Sequence, residues 1–213
     1  MIISEKSPVY ICLAICYLIL GSCTTKQESR DWTSRDRDFL IEGLTASRDT
    51  LISLTAELSE KAWHFREDSS RWCIGEVVTH LALHDALYYR ELRSTTALPQ
   101  PTLPQNSLLD EDDYLMEYGE INPQNKGASP WYLDPTVHWC QPQQALASFT
   151  QTRDHYISFV DTTNANLRAY FSANGRGKKP YRDLHQLVMI SVAHSQRHLQ
   201  QIRHIKSAAH FPD

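Results

Sequence analysis

Two histidines four residues apart lie in the apolar stripe of a predicted C-terminal helix. At about 100° per residue, the stretch from Leu184 to Ile205 places His194 and His198 one turn apart on one face. The other members of that face are Leu187, Ile190, Gln201 and Ile205. Burying imidazoles among aliphatic side chains costs free energy unless each finds a polar partner. A divalent metal suits both at once, because neutral imidazole is a common ligand and this spacing lets two nitrogens converge.

Two histidines at this spacing are more often ordinary polar residues than metal ligands. A third histidine in a similar setting strengthens the metal interpretation. His80 occupies the apolar stripe of another predicted helix. The inward face predicted there is Val77, His80, Leu83, His84, Leu87, Tyr88 and Glu91. Three protein ligands with open positions are typical of a catalytic zinc site, at which water or a substrate oxygen or thiolate takes the vacancy. The alternative is three core histidines that each donate to a backbone carbonyl or a tyrosine.

Further polar side chains on the same two helices could complete such a site. Gln201 lies about one turn beyond His198 and could hydrogen-bond a ligand or a bound water. His84 shares the face of His80 one turn later, and we expect it to line the pocket, although spacing alone does not separate the two roles. The candidate acids and bases of the pocket are His84, Asp85, Tyr88 and Glu91. No catalytic residue is assigned from the sequence.

The chain shows no internal repeat and no alternating strand pattern, and it is predicted to form four helices joined by loops. These helices must position the candidate site residues. The first helix follows a Thr33 cap, with Asp36 reaching back to the cap amide. Its seam is Leu40, Leu44, Ser47, Leu51, Leu54 and Leu58. The second helix begins at Cys73, with Glu76 as the reciprocal partner of the cap. The flanking pair Trp72 and Val77 is predicted to form a hydrophobic staple.

The third and fourth helices follow two long connections. The third begins with Pro142 at its first position, and Asp183 caps the fourth. Residues predicted to be buried on the third helix are Leu146, Phe149, Arg153, Tyr156 and Val160. The predicted connections are 59–71, 94–140 and 164–181, with one short helical turn at 115–118. A loop as long as 94–140 in a compact domain is either functional or a cover over one end of the bundle.

Composition and charge narrow the class of protein. The chain has 213 residues, of which 41% are hydrophobic and 22% charged, as expected for a single soluble domain. Its net charge is −4, and no basic stripe interleaved with aromatic residues is present, so nucleic acid is not an expected partner. A small-molecule substrate is expected instead. The sequence leaves the oligomeric state open, a homodimer included.

The N-terminal 23 residues resemble a lipoprotein signal. Lys6 precedes an apolar run over 9–20, which is short for a bilayer span but suits a signal-peptide core. The run ends in Leu-Gly-Ser before Cys23, as in a lipobox, so we expect cleavage before Cys23 and acylation of its thiol. The predicted organisation is a signal peptide at 1–22, a tether at 23–32 and a bundle domain at 33–208, held at the cell envelope by the lipid. The alternatives are a short uncleaved anchor or a misassigned start.

The mature chain would keep two further cysteines. Cys73 and Cys140 could pair in an oxidising compartment, or each could be a small buried thiol. A catalytic cysteine is the least favoured interpretation.

Several motifs together resemble the DinB-like superfamily of metalloenzymes. They are Arg48 with Leu54, then Leu58-Ser59-Glu60-Lys61-Ala62-Trp63, the stretch from Trp72 to Leu81, and the stretch from His194 to Ile202. The resemblance covers about Asp36 to Lys206. It implies a four-helix bundle with up-down-down-up connectivity and a three-histidine site for a divalent metal, with zinc favoured and nickel as the alternative. The matching ligands are His80, His194 and His198.

The resemblance leaves the reaction open. Some relatives are thiol-dependent transferases and others are suspected hydrolases. This chain departs from the pattern at Cys73, where Ser or Thr usually stands, and in its lipoprotein-type signal. Low-molecular-weight thiols are scarcer outside the cytoplasm, which weakens the transferase assignment. The two hypotheses are therefore a metal-dependent hydrolase or transferase and a non-catalytic binding module. An acid or base within reach of the open metal position would favour the enzyme.

Overall fold

Four long helices dominate the architecture. The structure is a computed structural model, and it describes residues 31–102, 112, 129–138, 141–173 and 179–212. The helices are α1 (Ser34–Thr55), the one-turn α2 (Glu60–His64), α3 (Ile74–Thr96), α4 (Pro142–Thr162) and α5 (Leu184–Lys206). A small antiparallel hairpin precedes α5, with β1 (Phe171–Ala173) paired to β2 (Tyr181–Asp183). Short 3-10 turns lie at Trp131–Leu133, Pro135–Val137 and Leu167–Ala169. The predicted all-α four-helix bundle is confirmed.

The contacts between helices fix their directions. Along α1 and α5, Gly43 faces Val192, and the ammonium of Lys206 donates to the carbonyl of Leu54 at 2.7 Å, so these helices run parallel. Arg48 on α1 pairs with Asp154 on α4, and Arg37 reaches the carbonyl of Thr163 at the end of α4, so α1 and α4 are antiparallel.

The second and third long helices run in the same direction. Asp85 on α3 pairs with Arg153 on α4, and further along both helices the guanidinium of Arg93 lies over the ring of Phe159. The order is therefore up-down-down-up. A chain that links two parallel helices must return the length of the bundle, about 35 Å for a helix of this size, which explains the long connection between α3 and α4.

The helix ends follow the capping chemistry expected from the sequence. Thr33 with Asp36, and Asp183 with Gln186, form reciprocal capping boxes at α1 and α5. At α3, the amide of Cys73 donates to Glu76 at 3.0 Å. Pro142 is the first residue of α4, as predicted.

Two apolar clusters form the interior. The first includes Leu40, Leu44, Leu92, Tyr156, Val160, Leu187 and Val192. The second includes Leu51, Val77, Val78, Leu81, Phe149, Leu199 and Ile202. Leu83 and Leu87, predicted to face inward, are only half-buried, because the buried face of α3 is centred on Val78, Leu81 and Asp85.

Two of the predicted connections contain regular structure. Ser59 accepts from the amide of Ala62 and starts α2, which buries Trp63 against the second apolar cluster. The connection before α5 contains the hairpin, in which Ser172 lies opposite Arg182. One helical turn and two three-residue strands are too short to show a period in the sequence. The turn predicted at 115–118 lies outside the described residues.

Candidate metal centre

Three imidazole nitrogens from two helices converge inside the bundle. Nε2 of His194 lies 3.1 Å from Nε2 of His80 and 3.2 Å from Nε2 of His198. His80 comes from α3 and the other two from successive turns of α5. Nitrogens bound to zinc at 2.0–2.1 Å in a tetrahedral arrangement would be about 3.3 Å apart. The two separations from His194 are close to that value, and all three nitrogens lie within 4.8 Å of one another, so the three side chains fit a shared ion.

Hydrogen bonds at the far sides of two rings fix their tautomers. His80 Nδ1 donates to the carbonyl of Leu133 at 2.7 Å, and His198 Nδ1 donates to Oε1 of Gln201 at 2.8 Å. A neutral imidazole that donates from Nδ1 carries its lone pair on Nε2. Both lone pairs therefore face the common point, as in metal sites where outer partners orient the ligands.

Burial keeps these imidazoles in the neutral form that binds metals. His80, His84 and His194 are each 5% exposed, and His198 is 7% exposed. Loss of hydration lowers the pKa of His84 to about 4 and that of His198 to about 3. The pKa of His80 is also lowered by burial, and that of His194 is well below its ordinary value.

His84 lies beside the three converging histidines without joining them. Its ring stacks on that of His194, with centroids 3.8 Å apart, and contacts the ring of Tyr88 at 4.1 Å. Among the described residues, the group that could hold a metal comprises His80, His194 and His198. The structure thus places His84 and Tyr88 on one flank of the centre.

The two acidic candidates have other partners. Both carboxylate oxygens of Asp85 accept from Arg153, at 2.7 and 2.9 Å. Nδ1 of His84 lies 3.9 Å from Asp85, beyond hydrogen-bonding distance. Glu91 lies about two turns beyond His84 and faces Arg182 at 3.7 Å. Neither carboxylate therefore joins the histidine cluster.

Two components of the site carry no ligand signal in the sequence. The ring of Trp72 lies 5.0 Å from that of His80 and 6.4 Å from that of His198, forming a wall of the centre. Leu133 contributes only its carbonyl, which any residue could supply. Periodicity could not have identified either one, although Trp72 stands beside the predicted cap of the second helix.

The DinB superfamily profile matches residues 43–202, a span that contains all three histidines. The chain belongs to the DinB superfamily. The resemblance inferred from the motifs is thereby confirmed.

A solved structure shares the fold of this DinB-superfamily chain. It is described as "YfiT from Bacillus subtilis is a probable metal-dependent hydrolase with an unusual four-helix bundle topology". The TM-score is 0.56 at 15% identity, and the match covers 84% of this chain and 91% of that chain. No curated protein sequence matches this chain.

The cysteines and the predicted lipoprotein signal supply none of the three candidate metal ligands. Cys73 is a buried free thiol, and burial raises its pKa. Cys140 and the predicted lipidation site Cys23 lie outside the described residues. None of the helices that the structure describes is long and apolar enough to cross a membrane.

Proposed function

We propose that this DinB-superfamily protein is a divalent-metal-dependent enzyme of hydrolase or thiol-dependent transferase type that acts on a small molecule. The observation that carries the proposal is the convergence of three Nε2 atoms at 3.1 and 3.2 Å in a buried site. His80, His194 and His198 would hold the ion, with zinc favoured and nickel as the alternative.

The donor set fits such an ion. Three neutral imidazoles leave at least one coordination position for water or substrate, as in catalytic rather than structural zinc sites. When bound, the ion would supply Lewis acidity and lower the pKa of a coordinated water toward neutrality. Leu133 and Gln201 orient two of the rings, and Trp72 shields the centre from bulk water. His84 and Tyr88 are the polar groups placed to meet a substrate on the flank of His194.

The hydrolase type is favoured over the transferase type. The structural neighbour is described as a probable metal-dependent hydrolase. The lipid anchor that we propose below would also place this chain outside the cytoplasm, where low-molecular-weight thiols are scarcer. A hydrolase needs only water as its second reactant.

Metal analysis of the purified protein tests the proposal. The wild type should contain about one equivalent of divalent metal, and His194→Ala should contain little, with its helical circular dichroism retained. His204→Ala is the matched control, because His204 lies on the same helix and its side chain is 62% exposed. A wild type that binds no divalent metal, or stoichiometric metal in His194→Ala, would contradict the proposal.

The second candidate is a non-catalytic binding module. The low exposure of the four histidines, 5–7%, favours it, because a reacting substrate needs access to the metal. Hydrolysis of p-nitrophenyl esters and phosphates by the metal-loaded protein separates the two. Turnover that needs both the metal and His194 supports the enzyme, whereas metal binding without turnover of any probe favours the module.

We also propose that Cys23 carries a lipid that holds the domain at the cell envelope. The support is the apolar run at 9–20, the small residues before Cys23 and the polar segment after it. Mass spectrometry of the membrane-extracted protein should find an acylated Cys23 at its N-terminus. Cys23→Ser should release the protein from the membrane fraction, and unchanged membrane retention of that variant would contradict the tether.

A further inference from the structure

Each of the four long helices contributes one buried polar side chain to a single layer across the bundle. The layer consists of Ser47, Asp85, Arg153 and Ser195, all 0–3% exposed. Arg153 donates to Asp85 through Nε and Nη2, to Ser195 through Nη2 at 2.7 Å and to Ser47 through Nη1 at 3.1 Å. One guanidinium thus links all four helices.

The layer lies between the two apolar clusters. Its neighbours along the helices are Leu44 and Leu51 on α1, Leu81 and Leu92 on α3, Phe149 and Tyr156 on α4, and Val192 and Leu199 on α5. All lie one turn away except Leu92, which lies two turns from Asp85. An apolar layer would tolerate sliding of one helix past another, because apolar contacts are non-directional. A buried polar group inside an apolar seam instead pairs well in only one register.

The layer is directly next to the histidines. Asp85 follows His84, and Ser195 follows His194. Nη2 of Arg153 donates to both Asp85 and Ser195, so it joins α3 to α5, the two helices that supply the converging nitrogens. Metal–ligand distances tolerate only about 0.2 Å of error, whereas one residue of helical slippage is about 1.5 Å.

We propose that Arg153, held by Asp85, is a positioning residue that sets the metal affinity of the three-histidine centre by fixing α3 against α5. This inference rests on the proposed function, since it assumes that the histidines bind a metal. The hydrogen bonds of Arg153 go to Ser47, Asp85 and Ser195. Arg153 therefore acts on the three histidines through the axial position of α3 relative to α5.

The test compares Arg153→Met with Arg168→Met, the matched control. Arg168 is also buried, at 6% exposure, and donates to Asp36, Asp112 and Asp183, none of which lies on α3. Both variants should lower the Tm. Arg153→Met should weaken Zn²⁺ binding about tenfold, within the range found for residues that influence a site without touching its ligand. It should also alter the visible absorption of the Co²⁺-loaded protein. Arg168→Met should keep Zn²⁺ affinity within about twofold of the wild type.

A double variant separates the effect of Arg153 on the positions of the helices from its effect on the stability of the protein. Asp85→Leu with Arg153→Met replaces the ion pair with apolar side chains, which often restores stability. Its Tm should exceed that of Arg153→Met, while its Zn²⁺ affinity stays at least about tenfold below the wild type. Ser195→Ala keeps the ion pair and serves if the larger changes prevent folding, with an expected loss of about threefold.

The outcomes distinguish this inference from the proposed function. Wild-type Zn²⁺ affinity in the double variant or in Ser195→Ala, or equal losses in Arg153→Met and Arg168→Met, would overturn the positioning role. A wild type that binds no Zn²⁺ would instead overturn the proposed function.

Discussion

The buried histidines predict a steep loss of stability in mild acid for the metal-free protein. The pKa of His84 is about 4 and that of His198 about 3, and that of His194 is well below its ordinary value. In the unfolded chain a histidine has a pKa of about 6.5. Between these values the unfolded state binds more protons than the folded state, so stability rises with pH and is lost as the pH falls below about 6.5.

The magnitude follows from the number of protons. Each histidine that is neutral when folded and ionised when unfolded contributes up to about 1.4 kcal/mol per pH unit. Three such groups give about 3–4 kcal/mol between pH 6 and 5, when the unfolded rings are mostly protonated. This is a large share of the total of about 5–15 kcal/mol that is typical of folded domains. Asp36 adds little in this window, because its pKa is lowered to about 2 and the carboxyl of the unfolded chain is mostly ionised above about pH 5.

Urea unfolding of the EDTA-treated protein at half-unit steps from pH 7.5 to 5 measures this slope. His198→Leu should reduce it by about 1 kcal/mol per pH unit, because one proton fewer is taken up on unfolding. A wild-type slope below about 1 kcal/mol per pH unit would refute the argument that these rings are buried and neutral.

Three further outcomes are expected. Gln201→Leu should weaken Zn²⁺ binding by about 10–100-fold in a chelator competition, whereas Gln200→Leu, an exposed neighbour, should not change it. Gly43→Ala should lower the free energy of unfolding by about 1 kcal/mol, because the added Cβ would lie 2.9 Å from Cγ1 of Val192. Val192→Ala in the same chain should remove that penalty. Zn²⁺ at about 100 times its Kd should stabilise the wild type by about 2.7 kcal/mol in thermal unfolding, and should not stabilise His194→Ala.

Local signals in the sequence predicted the helices and their caps. Thr33, Asp183 and Pro142 act within one turn of chain, so their neighbours alone determine what they do. The histidine cluster was also predictable, because helical periodicity places His80, His194 and His198 on buried faces of two helices. Their actual convergence depends on how α3 packs against α5.

Other features depend on contacts distant in sequence. The carbonyl of Leu133 that orients His80 belongs to the backbone and has no residue-type signal. Arg153 was predicted to be buried on the third helix, but its partners Ser47, Asp85 and Ser195 come from three other helices. Asp85, predicted as a pocket residue, pairs with Arg153 because an unpaired guanidinium in this layer would be costly.

X-ray absorption spectroscopy of the zinc-loaded protein tests the central claim most directly. It should show three imidazole nitrogens at about 2.0–2.1 Å, with an oxygen donor completing the shell, and two imidazoles in His80→Ala. A shell with fewer than three imidazoles in the wild type, or one unchanged in His80→Ala, would contradict the assignment of this metal centre.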